Sequence, residues 1–302
     1  MLNSAPTRRA APWLAALGLT LAALAAPAQT ARSAEDEAAV AKAERIVSIG
    51  GSVTEIVHAL GEEARLVARD STSLYPEVAV KLPDIGYMRA ISPEGVLAIN
   101  PDAIITLEGS GPPEAIEVLE KASIPMVVVP ETFDEAGILK KIEVIGAALG
   151  VPEKAAKLAA EVKADIDATL AKTATLTERK RVLFVLSMQG GKVLASGSET
   201  AANGIIAMAG GVNAISDYKG YKALTDEAII EAKPDLILLM DRGRDPAANA
   251  DIKAHAALSQ TPAVKDDRIV RMDGAYLLGF GPRTAAAARD LARALYGDSV
   301  VN

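Results

Sequence analysis

No cysteine occurs in the 302 residues. Disulfides, thiolate metal sites and cysteine nucleophiles are therefore excluded together, and so is a lipid-modified N-terminal cysteine. Histidine is nearly absent, with only His58 and His255, far apart and each in ordinary helical text. Aromatic residues make up 3% of a chain that is 50% hydrophobic, so the core must come from Ala, Val, Leu and Ile. That composition suits β-branched parallel strands buried under Ala-rich helices. Basic residues are outnumbered 39 to 32 by acidic ones, giving a net charge of −7, which argues against nucleic acid and anionic membranes as partners. Long apolar runs are missing beyond residues 10–26, and that run is interrupted by Pro12 and short for a membrane span. With Arg8 and Arg9 ahead of it and Ala26-Pro27-Ala28 behind, it reads as a cleaved secretory signal, the mature chain starting near Gln29. An exported protein without a lipid tether is retained where a second membrane encloses it, so the expected compartment is a bacterial periplasm.

What is present alternates. Residues 1–28 are the signal and 29–44 a polar leader. Residues 45–150 read as strand–helix repeats, with strands at Arg45–Ile49, Leu66–Arg69, Ala103–Leu107 and Met126–Val129, the pattern of a parallel sheet. Ser52 and Glu55 have the spacing of a capping box opening the first helix, and Gly61 closes it. The stretch from Asp70 to Ser92 carries Pro76, Pro83 and Gly86 and reads as a long loop, of the kind that is often functional. Residues 151–175 form one Ala/Lys/Glu-rich helix of some six turns, after which the alternation restarts in 176–302. The expected fold is α/β, with two Rossmann-like lobes and central parallel sheets joined by one long rigid helix. Gln189-Gly190-Gly191-Lys192 lacks phosphate-loop spacing and reads as a hairpin.

The lobes echo each other. Ser92-Pro93-Glu94, followed by Pro101-Asp102 and an apolar strand, aligns with Thr225-Asp226-Glu227, Pro234-Asp235 and a second apolar strand. Each copy is a capped short helix, a Pro-Asp turn and a buried strand, with a glutamate in the first turn where the helix dipole favours it. One exposed carboxylate thus sits on each lobe at an equivalent place.

Within the long loop, Ile85-Gly86-Tyr87-Met88-Arg89 puts a phenol and a guanidinium two residues apart. If the stretch is extended, both face one spot. A phenolate is a hard oxygen donor suited to ferric iron and a known haem ligand, and a neighbouring cation lowers the cost of ionising it. The same five residues read equally as a turn tyrosine beside a surface arginine.

These residues resemble the haem-binding periplasmic proteins of bacterial haem ABC importers, within the class III cluster that also binds ferric siderophores and cobalamin. The resemblance runs from Arg45 to Gly297. It is carried by Gly50-Gly51-Ser52-x-Thr54-Glu55-Ile56, Ser71-x-x-x-Tyr75-Pro76, Leu82-Pro83-Asp84-Ile85-Gly86-Tyr87-Met88-Arg89, Glu94-Gly95, and Met272-Asp273-Gly274 with Gly279-Phe280-Gly281-Pro282-Arg283. It implies capture of haem b as Fe(III) protoporphyrin IX in the inter-lobe cleft, with Tyr87 as iron ligand and Arg89 supporting it. Met88, Tyr276, Met188 and Arg242 are the further pocket candidates, with Arg244 beside Arg242. The resemblance also implies that Glu94 and Glu227 dock on arginines of an ABC permease dimer, which works with its ATPase in iron acquisition. The chain is expected to act as a monomer without stable membrane insertion. A second ligating histidine found in some relatives has no equivalent, which favours one haem over a stacked pair.

Two other classes share parts of this pattern. A two-lobed periplasmic enzyme needs a nucleophile with a base, paired carboxylates or a metal site, and neither G-x-S-x-G nor H-x-x-x-H occurs. A ferric siderophore or cobalamin carrier shares the scaffold but would converge more basic or aromatic groups than this chain has.

Overall fold

The computed structural model describes residues 35–241 and 248–298. The signal sequence and the Arg242 and Arg244 candidates therefore lie outside the described residues.

The N-terminal lobe is built on four parallel strands in the order β2-β1-β3-β4: β1 Ile46–Ile49, β2 Leu66–Arg69, β3 Ala103–Leu107 and β4 Met126–Val129. The two central strands are buried along their whole length, which is why they read as near-continuous apolar runs, interrupted only by Ser48 and Thr106, rather than alternating ones. The chain leaves β1 toward one side of the sheet and returns to its other side at β3, so a crevice opens at the carboxyl ends of β1 and β3. Gly50 follows β1 there with φ +110, and a Cβ on it would lie 2.7 Å from Leu107 Cβ. Only glycine combines that backbone with that approach.

A helix at Pro152–Ala174 runs from this lobe to the next. The second lobe has five strands in the order β10-β9-β5-β6-β8: β5 Arg181–Gln189, β6 Lys192–Ser196, β8 Tyr221–Ala223, β9 Leu236–Asp241 and β10 Ile269–Asp273, with short β7 Val212–Asn213 beside β5. Strands β5, β9 and β10 form the expected parallel core. The Gly190-Gly191 hairpin, with both residues at positive φ, turns β6 antiparallel, and β8 extends that edge. The second sheet is therefore mixed. β7, β8 and the short helix Gly274–Leu278 carried no signal in the sequence, because two- to five-residue elements show too little period to detect.

One apolar cluster runs from Val40 through β1, β3 and Ile166 of the long helix to Phe184, Ile205 and Leu291. A second, separate cluster fills the far face of the C-terminal sheet. The lobes thus share a core, and the long helix is packed into it rather than spanning solvent.

The echo between the lobes extends to hydrogen bonds. Ser92 Oγ accepts from Gly95 N and Thr225 Oγ1 from Ala228 N, each at 3.2 Å. Asp102 accepts the backbone N–H of Arg45 and Asp235 that of Arg181. The two arginines open β1 and β5 territory and donate back to carbonyls at the ends of the short helices, Ile99 O and Ala232 O. Each Pro-Asp turn thereby ties a helix C-terminus to the start of its lobe's first strand.

Candidate functional site

The loop after β2 is held from below. The Asp70 carboxylate is fully buried and accepts from Gly50 N, Thr72 N, Thr72 Oγ1 and Ser73 Oγ at 2.6–2.9 Å. Arg69 pairs with Asp84 at 2.7 Å, whose other oxygen accepts from Gly86 N. Ile85 and Met88 are buried beneath the loop. Met88 meets Thr72 Oγ1 through sulfur at 3.9 Å, so this pocket candidate serves the lobe's core instead of facing cargo. Between these anchors Tyr87 stands 46% exposed. Ala90 N donates to Tyr87 O at 2.7 Å, so residues 87–90 form a turn. The extended geometry expected for Tyr87 and Arg89 is replaced by a turn, with both side chains exposed.

Both residues act electrostatically on Tyr221 of the other lobe. Burial pushes the Tyr221 phenol of β8 up; a hydrogen bond from Thr200 and the Arg89 charge oppose this, and Tyr87 adds to it. Arg89 also acts on Glu131. Tyr221 stands edge-on to Phe184, 6.4 Å between centroids. The same loop exposes Leu74, Tyr75, Val78 and Val80, an apolar stretch leading to Tyr87.

The remaining candidates fall elsewhere. Tyr276 donates its hydroxyl to Asp290 Oδ2 at 2.9 Å. Burial, then Asp290, drive its phenol far above the ordinary range, which makes it a poor iron ligand. Met188 is half-buried against the second apolar cluster, opposite Val193. His255 is engaged with Gly191 O and the amides of Ala257 and Leu258. His58 sits half-buried in its helix, where desolvation pushes its pKa down. Among the described residues no three His, Cys, Asp or Glu side chains converge on a metal position.

Glu94 and Glu227 occupy matching surroundings. Both are exposed. Each has its carboxyl lowered first by its own backbone N–H and next by the capping hydroxyl, Ser92 or Thr225. Each is a fixed negative charge at the tip of one lobe.

The capping box at Ser52 and Glu55 is not formed. The helix Gly51–Ala59 begins without a side-chain cap; Gly50 N and Gly51 N are taken by Asp70 and Thr72. Glu55 instead pairs with Arg283 of the other lobe at 2.9 Å. Arg283 in turn lies 3.5 Å over the Tyr75 ring. This pairing, and the buried Lys141 with Glu131, escaped the sequence because each joins residues with no common periodicity. The apolar stripe of the helix Glu135–Ala148, broken by a lysine, was the only available hint.

The profile of the periplasmic binding protein family matches residues 46–276. Among solved structures, the periplasmic heme-binding protein RhuT from Roseiflexus sp. RS-1, in apo form, is 37% identical. The match covers 86% of this chain and 99% of that one, with a TM-score of 0.79. The periplasmic heme-binding protein BhuT in complex with two hemes is 35% identical, covering 85% and 98%, also at TM-score 0.79. By sequence, the vitamin B12-binding protein of Yersinia pestis (strain Pestoides F) is 26% identical over 198 residues, 65% of this chain and 69% of its own.

Proposed function

This chain belongs to the periplasmic binding protein family, and we propose that ferric haem is the cargo it delivers to an inner-membrane importer. Its relatives are substrate-binding proteins of ABC transporters, not enzymes, and this chain is a binding protein of that kind. Relatives with this fold bind haem or vitamin B12, so the cargo has to be argued from the site.

The observation that carries haem is Tyr87. Its phenol stands free on a loop whose flanking Ile85 and Met88 are buried, with Arg89 in the same turn and Tyr221 across the cleft. A phenolate oxygen is a hard donor that favours Fe(III). Leu74, Tyr75, Val78 and Val80 offer the apolar contact a porphyrin face requires. The identities of 35–37% to heme-binding proteins support the same reading. We place the protein in the periplasm, exported by residues 1–28; among the described residues no helix is long and apolar enough to cross a membrane.

The test is to titrate the purified mature chain with ferric haem and, separately, with cyanocobalamin, following the visible spectrum. Saturation by haem with a tyrosinate-ligated ferric spectrum supports the proposal, and an endpoint of one equivalent is expected. Two equivalents, the number held by BhuT, would retain haem and overturn the single-haem expectation. Binding of cobalamin without haem would transfer the chain to the other branch.

Glu94 and Glu227 are assigned to permease docking. Reversal of either to lysine should lower haem uptake in reconstituted vesicles by about tenfold or more, since facing charges steer association. Haem affinity should be unchanged. A fall in affinity would remove the docking assignment.

A further inference from the structure

One inter-lobe ion pair and one inter-lobe hydrogen bond from a buried lysine converge on a single five-residue loop. Residues 279–283 connect the helices Gly274–Leu278 and Thr284–Tyr296 of the C-terminal lobe, yet Phe280 and Arg283 make their side-chain contacts with the other lobe. The Phe280 ring is 1% exposed and meets Phe133 edge-on, 5.3 Å between centroids. Phe280 O accepts from Lys141 Nζ at 3.1 Å. Lys141 is fully buried, and its ammonium is also paired with Glu131. Three residues on, Arg283 donates through Nε and a terminal nitrogen to Glu55 Oε2, at 3.0 and 2.9 Å, and through its backbone N–H to Glu55 Oε1 at 3.2 Å.

The backbone shows that the loop is held in place. Phe280 has φ 47, a left-handed conformation that a bulky residue adopts only where its surroundings over-determine it. The approach is close on the neighbouring element as well: a Cβ on Gly204 would fall 2.3 Å from Phe133 O and 2.8 Å from the Phe280 ring. The contacts also reach the Tyr87 loop, because the Arg283 guanidinium stacks on Tyr75, twelve residues before Tyr87 on the same segment.

We infer that Lys141 and Glu55 are positioning residues that grip this loop through Phe280 O and Arg283, holding the two lobes at one aperture before any cargo arrives. A hinge that opens freely would not bury a lysine against a carbonyl of the opposite lobe, because parting the lobes would take from that ammonium its bond to Phe280 O. Opening therefore has to be driven from outside, and the exposed tips at Glu94 and Glu227 are where a docked partner can apply that force. The inference concerns the empty protein and does not depend on which cargo it carries.

The absence of cysteine makes the test direct. Cysteines placed at Glu94 and Glu227 carry spin labels, and the distance between them is read by pulsed electron resonance on the cargo-free protein. Wild-type background should give one narrow distribution. Glu55→Gln, Arg283→Gln and the paired change Lys141→Met with Glu131→Gln should each broaden it and shift it to longer distance, while circular dichroism remains that of the folded chain. Folded variants whose distribution stays as narrow as wild type would overturn the inference. Hydrogen exchange on the unmodified protein gives a second arm that needs no variant to fold. The Arg283 amide, which donates to Glu55 Oε1 across the lobes, should exchange only with the slowest, globally protected set, and early exchange there would overturn the clasp as well.

Discussion

Tyr87→Phe is expected to abolish the tyrosinate-to-iron absorption of the ferric haem complex and to weaken binding by about 100-fold or more. Groups that support a metal ligand typically contribute about 10- to 100-fold in affinity, and the ligand itself contributes at least as much. Arg89→Ala should therefore fall in the lower range, with the absorption shifted but retained. The order follows from geometry. Tyr87 is the exposed phenol of the turn, whereas Arg89 acts through charge on its neighbours. The measurement is a haem titration of both variants beside wild type. Equal affinity of Tyr87→Phe and wild type would dismiss Tyr87 as ligand. Tyr276 is not a natural replacement, since its hydroxyl is committed to Asp290.

Lys141→Met should destabilise the folded chain by about 3–5 kcal/mol, because removing one partner of a buried pair leaves the other charge uncompensated. The Lys141 side chain has no exposed surface and Glu131 only 16%, so little water is present to take over from the ammonium. Burial already pushes the Lys141 amine down and the Glu131 carboxyl up, and their mutual attraction is the main effect opposing this. Replacing both, Lys141→Met with Glu131→Gln, should recover most of the loss, since apolar or neutral substitutes for a whole buried pair are often tolerated. Urea midpoints of the two variants and wild type check this. A double variant as unstable as the single one would show that lost packing of the lysine stem, rather than stranded charge, accounts for the loss.

Lobe tips, the Tyr87 loop and core strands were legible because their signals are local. Ser92 and Thr225 cap helices three residues ahead of themselves. The central strands, buried on both faces, are near-continuous apolar text. Tyr87 stood out because a phenol and a guanidinium share a loop bounded by prolines. The same local reasoning failed at Ser52 and Glu55. The spacing is that of a capping box, but Asp70 and Thr72 reach the helix start first, and Glu55 has a stronger partner in Arg283.

The sequence by itself determined the α/β alternation, the long connecting helix, the doubled helix–Pro-Asp–strand unit and the exposed loop that carries Tyr87. All of these follow from contacts within a few residues, or from the burial of continuous apolar segments. Only the tertiary structure decided that Tyr87 and Arg89 share a turn and act electrostatically on Tyr221, that Met88 serves the core, and that the lobes are joined by Lys141 and Glu55. Glu55 and Arg283 are 228 positions apart along the chain. Their meeting depends on the angle and length of the helix Pro152–Ala174 and on how the shared core packs around it, and no periodicity or local spacing records either.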